Sequence, residues 1–301
     1  MPRTIIVGLD GSPESRAAAD WAAREAEMRG LPVKLVQAWE PVPAPMAEAP
    51  LLGAETQQHW TGRILREAAG ALRQHRPGVQ VSTEQLTGSP AEALLGAARD
   101  ADMLVLGSRG LGAFEGFLVG SVGLAVVAHS ERPVILVRAG EKAPASPGKT
   151  PAGTADGAAP VLPVLLGLDT GNPDAAPIEF AFEAAAQRGV PLRVVHGWNP
   201  PYYYPYGMAP DPAITETVAA AEADALKETL RPWRQKYPDV QVATESHCGS
   251  PSLALVDASR EASLVVVGRR IRRSAVGTRI GTVTHAVLHH AAAPVAVVPH
   301  D

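Results

Sequence analysis

Two stretches of this chain carry residue types and spacings suited to holding an anion. Gly107-Ser108-Arg109-Gly110 is followed, after nine residues, by Gly120-Ser121, and Gly268-Arg269-Arg270-Ile271 is followed, after nine residues, by Gly281-Thr282. Glycines at 107 and 110 permit positive φ and close backbone approach, which a loop wrapped around phosphate requires. Gly120 falls where a helix is expected to begin, so free N–H groups and the positive end of the helix dipole would face an anion there. The Ser121 hydroxyl adds a hydrogen bond and Arg109 a charge. Glycines also occur in ordinary strand-to-helix loops, so spacing alone leaves both readings open.

The second stretch keeps the spacing but has Ile271 where the first has Gly110. A β-branched residue at positive φ is strongly disfavoured, so the backbone must follow another path or lose close approach to phosphate. Arg269, Arg270, Arg272 and Arg273 crowd the same loop. Their guanidiniums could supply phosphate contacts that the backbone no longer makes; the alternative is a solvated basic loop. A weakened or altered second site is the expectation. Asp10 follows a short apolar run and heads an Asp-Gly pair, a common turn, and Asp169 recurs at the matching place in the second half.

Other combinations fall away. Gly148-Lys149-Thr150 echoes the end of a P-loop without its first glycine and without a preceding strand. His285 and His289 stand four apart on a helical face, but no Glu follows His285 as in a zinc protease helix, so no metal site is expected. His247-Cys248 has no partner base placed by sequence and reads as a loop thiol. Tyr202, Tyr203, Tyr204 and Tyr206, interleaved with prolines, could cover a ligand or pack their own loop.

The elements that must position these residues come as a repeat. GSPAEALLGAARDADMLVLGSR, residues 88–109, and GSPSLALVDASREASLVVVGRR, residues 249–270, share eleven of 22 positions at an offset of 161. Val7-Gly8-Leu9-Asp10 pairs with Leu166-Gly167-Leu168-Asp169, and Trp39 with Trp198, at an offset of 159. A period this long marks duplicated domains. The expected division is 1–140 and 161–301, joined by a Pro-, Gly- and Ala-rich linker over 141–160.

In the first copy, short β-rich runs at 4–9, 33–39, 79–84, 103–106 and 133–137 predict strands. Helices are expected from Ser12-Pro13 to Gly30, over 55–75, over 90–99 and from Ser121. Asn172-Pro173 and Gly189 repeat the first helix's start and stop signals in the second copy. Several strands are continuously apolar, as in a parallel sheet covered on both faces. Alternating strands and helices predict an α/β fold, with ligands at the carboxyl ends of the strands where the connection order reverses.

With 27 Lys and Arg against 31 Asp and Glu, a net charge of −4, the chain lacks the basic footprint of a nucleic-acid binder. A single cysteine excludes an intrachain disulfide framework and fits a reducing cytoplasmic location. No apolar run approaches the roughly 18 residues of a membrane span, and the start of the chain does not read as a signal peptide.

The pattern G-x2-G-x9-G-[ST] after an apolar strand, with the opening V-G-L-D-G-S, the G-S-P-A-E-A-L segment, the strand D-M-L-V-L-G and the closing P-V-x-x-V run, resembles universal stress proteins of the ATP-binding type. The resemblance covers both copies. It implies two tandem Rossmann-like domains of the adenine nucleotide α-hydrolase-like kind, each a five-stranded parallel sheet of order 3-2-1-4-5 flanked by helices. It implies nucleotide contacts from Gly8, Leu9, Asp10, Ala38, Gly107, Arg109, Gly110, Gly120, Ser121 and Val122. In the second copy the matching positions are Gly167, Leu168, Asp169, Gly197, Gly268, Arg270, Gly281, Thr282 and Val283. It further implies ATP as ligand, Mg²⁺ held through the phosphates, and the two domains pairing as single-domain relatives pair, with homodimerisation left open.

Three functions are then in play: a nucleotide-dependent regulator in stress or dormancy, a slow ATPase or nucleotidyl-transfer enzyme, and a scaffold whose nucleotide binding has lapsed. Phosphoryl transfer needs a base or water-positioning group, and only Asp10 and Glu115 are near. The H-x-G-H adenylylation signature is absent. The regulator fits the residues best, and no catalytic residue is assigned.

Overall fold

In the computed structural model, residues 4–40, 54–108, 119–140, 161–199, 212–271 and 279–301 are described, with only the backbone described over 54–61 and at 212. Two compact units, Met1–Lys142 and Ala143–Asp301, divide the chain.

In the first unit the strands are β1 (Ile5–Gly8), β2 (Val33–Trp39), β3 (Val81–Thr87), β4 (Met103–Ser108) and β5 (Val134–Arg138). The helices between them are α1 (Pro13–Arg29), α2 (Ala54–His75), α3 (Pro90–Ala98) and α4 (Ser121–His129). The strands lie in the order β3-β2-β1-β4-β5, and the paired strands are parallel. Central β1 pairs Val7 with Leu35 on one side and with Val105 on the other. Helices α1 and α2 cover one face and α3 and α4 the other. Ile5, Leu35, Met103, Leu104 and Ile135 are wholly buried between these layers, each contributing about 1.5–3 kcal/mol.

The second unit repeats the plan with β6 (Val164–Gly167), α5 (Ala175–Arg188), β7 (Leu192–Trp198), α6 (Pro212–Lys236), β8 (Val242–Cys248), α7 (Pro251–Ala258), β9 (Leu264–Arg270), α8 (Thr282–His290) and β10 (Val295–His300). Its order, β8-β7-β6-β9-β10, is the same 3-2-1-4-5 arrangement. Phe182 of α5, fully buried, stacks on Trp233 and Tyr237 of α6 at 6.3 and 5.5 Å between ring centroids.

The capping chemistry explains most boundaries and corrects one. Ser12 caps α1, its Oγ accepting from the Ser15 N–H at 3.1 Å, and Gly30 ends the helix at φ 64°. Gly189 does the same for α5 at φ 62°, but α5 does not start at the expected Asn172-Pro173. Asp174 is the cap, accepting from the Ala176 N–H at 2.9 Å. Proline disfavours helical backbone in the residue before it, so Asn172 stays outside, and the loop after β6 is correspondingly longer than that after β1.

The third strand is a second correction. The β-rich run predicted 79–84, whereas β3 spans Val81–Thr87 because the Val79 N–H closes a turn onto the Arg76 carbonyl at 3.1 Å. As an edge strand with largely exposed side chains, β3 has no apolar pattern to mark its end. Among the described residues no helix is long and apolar enough to cross a membrane.

Candidate functional site

Each domain has a cleft at the carboxyl ends of its strands, where β1 and β4, or β6 and β9, are neighbours and the connection order reverses. The first cleft, about 390 Å³, is floored by Gly8, Leu9 and Asp10 after β1 and by Gln37 and Ala38 near the end of β2. Gly107, Gly120, Ser121 and Val122 line its other side. Every expected residue of the first domain within the described regions therefore converges here; Arg109, Gly110 and Glu115 lie outside the described residues.

Gly120 sits as the N-cap of α4 with extended backbone, φ −63° and ψ 157°, and no side chain caps the helix. The first-turn N–H groups of an α-helix have no intrahelical acceptor. Here they open beside a cleft lined by Ser121, Val122 and Gly123, an arrangement suited to phosphate oxygens.

Gly107 serves a different purpose from the one its motif suggested. It lies inside β4 and does not have positive φ. A Cβ there would come within 2.5 Å of the Glu14 carbonyl carbon and 2.6 Å of the Ser15 nitrogen. The glycine lets the first turn of α1 close onto β4. Asp10 lines the cleft while its Oδ1 accepts from the Ser12 N–H at 3.0 Å and from the Ser12 hydroxyl at 2.5 Å. Asp10 therefore both lines the cleft and braces the turn after β1.

The second cleft, about 450 Å³, is lined by Gly167, Leu168, Asp169, Gly197, Gly268, Arg270, Gly281 and Val283 from the expected set. Thr282 heads α8 without lining it. Asn172 and Asp174, from the longer loop after β6, add polar surface.

Ile271 stays beside the last strand of its domain. Strand β9 continues to Arg270, paired with His300, and the Ile271 N–H donates to the His300 carbonyl at 2.6 Å. The first domain's ladder is described as far as Ser108 and Arg138, and the residues matching Arg270 and Ile271 lie outside the described residues. The His300 ring lies over Gly268, where a Cβ would stand 2.9 Å from its Nε2. His300 Nδ1 lies 3.5 Å from Asp174 Oδ2. Of the crowded arginines, Arg269 and Arg270 line the cleft, with Arg269 only 5% exposed; Arg272 and Arg273 lie outside the described residues. Arg279 and His300 also line it, and no motif singled them out.

A second difference lies beneath the clefts. In β7 the buried His196 bonds through Nδ1 to the Leu168 carbonyl at 2.9 Å, and its Nε2 is 3.2 Å from both Thr170 Oγ1 and Glu222 Oε2. In β2 the matching residue is Gln37, also buried, whose Oε1 has no hydrogen-bond partner among the described residues. Neither residue was singled out by motif, although the offset of 159 pairs them.

His285, His289 and Cys248 line neither cleft. The rings of His285 and His289 lie 4.4 Å apart between centroids on α8, tilted by 41°, and desolvation, then His289 and His290, hold the His285 imidazole below its usual pKa. No group of three metal-ligating side chains occurs among the described residues. Exposed Cys248 lies at the sheet edge near Arg193, whose guanidinium grips Glu245 at 2.6 and 2.9 Å and holds that carboxyl below its ordinary pKa. The tyrosines 202–206 lie outside the described residues.

The universal stress protein family model matches residues 1–138 and again 161–299. The chain belongs to the universal stress protein family. Universal stress proteins similar to it over nearly their whole length include one from Mycobacterium tuberculosis H37Rv, 32% identical over 303 residues, 97% of this chain and 96% of the relative. Another, from Mycolicibacterium smegmatis, is 31% identical over 303 residues, 98% of this chain and 96% of the relative. The crystal structure of a universal stress protein from Archaeoglobus fulgidus shares the fold with a TM-score of 0.67, at 16% identity, covering 99% of this chain and 98% of that one. This member of the family is thus a tandem form, with one family domain in each half of the chain.

Proposed function

We propose that this universal stress protein is a nucleotide-dependent regulator that holds ATP in the cleft of its first domain and changes partner affinity as the ATP level varies. The observation that carries the reading is the uncapped start of α4, with Ser121 and Val122 beside a cleft whose floor, Gly8 to Asp10 and Ala38, leaves room for a flat base. A volume of about 390 Å³ lies within the range of small-molecule sites. The adenosine end would rest against Leu9, Asp10 and Ala38, and the phosphates on the first turn of α4. A divalent ion would ride on the phosphate oxygens, since Mg²⁺ commonly keeps waters and takes few protein ligands.

The second cleft offers Arg270, Arg279 and His300 in place of a glycine loop, and so suits an anion bound through side-chain charge. Its contacts differ enough from those of the first that equal affinities are not expected.

Thermal unfolding with and without millimolar ATP tests the reading. A ligand bound only to the native state at 100 times its Kd stabilises that state by about 2.7 kcal/mol. An ATP-dependent rise in Tm that grows with concentration is expected; no rise at millimolar ATP would leave the scaffold reading in its place.

A further inference from the structure

Gln37 stands near the end of β2, 8% exposed, in the wall of the first cleft, and its Oε1 is fully buried with no hydrogen-bond partner among the described residues. Leaving a buried acceptor unsatisfied costs about 1–3 kcal/mol, a large sum for a domain of this size to carry without return. The second domain shows what a satisfied side chain looks like at this place. His196 has both ring nitrogens engaged, one by the Leu168 carbonyl and the other by Thr170 and Glu222. At the offset that pairs Gln37 with His196, Gly11 replaces Thr170, so the first domain lacks the internal hydroxyl.

We infer that Gln37 is a specificity-determining residue of the first cleft, whose amide takes a hydrogen bond from an N–H or O–H donor of the bound ligand. This rests on the reading of that cleft as a nucleotide site and adds the group the ligand must present. Two parts of an adenine nucleotide carry such donors: the exocyclic amino group of the base and the ribose hydroxyls. The second cleft makes no matching demand, because His196 is satisfied within the protein. The two clefts of one chain are therefore tuned to different ligand features on the base or sugar side, in addition to their different phosphate-side chemistry.

The role makes the free and bound states respond in opposite directions. Replacing an orphaned acceptor by an apolar side chain of similar shape removes a desolvation cost, so free Gln37→Met is expected to unfold at the same temperature as the wild type or higher. Its ATP affinity, measured by calorimetry on the full chain, is expected to fall about tenfold, the worth of one such hydrogen bond. Inosine triphosphate, which lacks the amino group, and 2′,3′-dideoxy-ATP, which lacks both ribose hydroxyls, separate the two donors. The analogue missing the group that Gln37 reads should bind wild type and variant equally, while the other should lose as much as ATP does. Gln37→Leu, of different shape, provides a second apolar variant should Gln37→Met fold poorly.

Unchanged ATP affinity in a folded variant would overturn the assignment, as would a loss that is equal for ATP and both analogues. A fall in the Tm of the free variant with ATP affinity retained would make Gln37 a structural residue. Absence of ATP binding by the wild type would instead remove the nucleotide reading itself, and this assignment with it.

Discussion

Gly120→Val should abolish tight nucleotide binding to the first domain while leaving its fold intact. At φ −63° and ψ 157° the backbone of Gly120 is in a region open to any L-residue, so valine meets no conformational penalty there. Glycine caps a helix better than valine, and the exchange costs α4 about 1 kcal/mol. The isopropyl group would stand at the start of α4, where Ser121, Val122 and Gly123 line the cleft. Two or three hydrogen bonds from N–H groups to charged oxygens, each worth about 1.5–3 kcal/mol, would be lost, so a fall in ATP affinity of at least about 100-fold is expected. Gly281 is the counterpart in the second domain, with φ −66° and open space where a Cβ would be. Gly281→Val should therefore fold as well, and leave binding to the first domain untouched. Circular dichroism melts of both variants separate a folding defect from a binding defect.

Gly107→Val should act on the fold. Its Cβ would lie 2.5 to 2.8 Å from three backbone atoms of Glu14 and Ser15, and backbone cannot swing aside as a side chain can. Helix α1 would have to move off β4, and it packs on β1 and β5 as well. Overpacking of this kind costs about 3 kcal/mol, or roughly 10 °C in Tm for a domain of this size. Gly268, its counterpart, would meet the His300 ring and Pro177 instead. Gly268→Ala should therefore cost less, about 1 kcal/mol, through displacement of the ring. Equal losses at the two positions would mean that the contact with α1 is not what the first glycine protects.

These paired glycines show what was legible in the sequence and what was not. The duplication and the parallel α/β class followed from motif and offset, because strands such as β1, β4 and β5 are buried on both faces and their apolar runs are nearly continuous, while the strand order and most cleft residues followed from the family resemblance. The edge strand β3 was misplaced because its exposed side chains leave no such run. The start of α5 was misplaced because Asn172-Pro173 imitates a cap, while Asp174 provides the bond. Gly107 was recognised as necessary but for the wrong reason, since a motif records that a glycine is needed without recording which neighbour approaches it. Gln37 and His196 carried no motif, and their contrast depends on partners as distant in sequence as Glu222. His300 lines the second cleft from the end of β10, a placement visible once the strands are paired.

The asymmetry of the two clefts is the claim on which the functional reading depends. Calorimetric titration of ATP into the full chain measures it directly, with Gly120→Val and Gly281→Val titrated alongside. One tight site per chain, lost in Gly120→Val and retained in Gly281→Val, is the expected result. Two equivalent tight sites, or a single site that survives Gly120→Val, would contradict it.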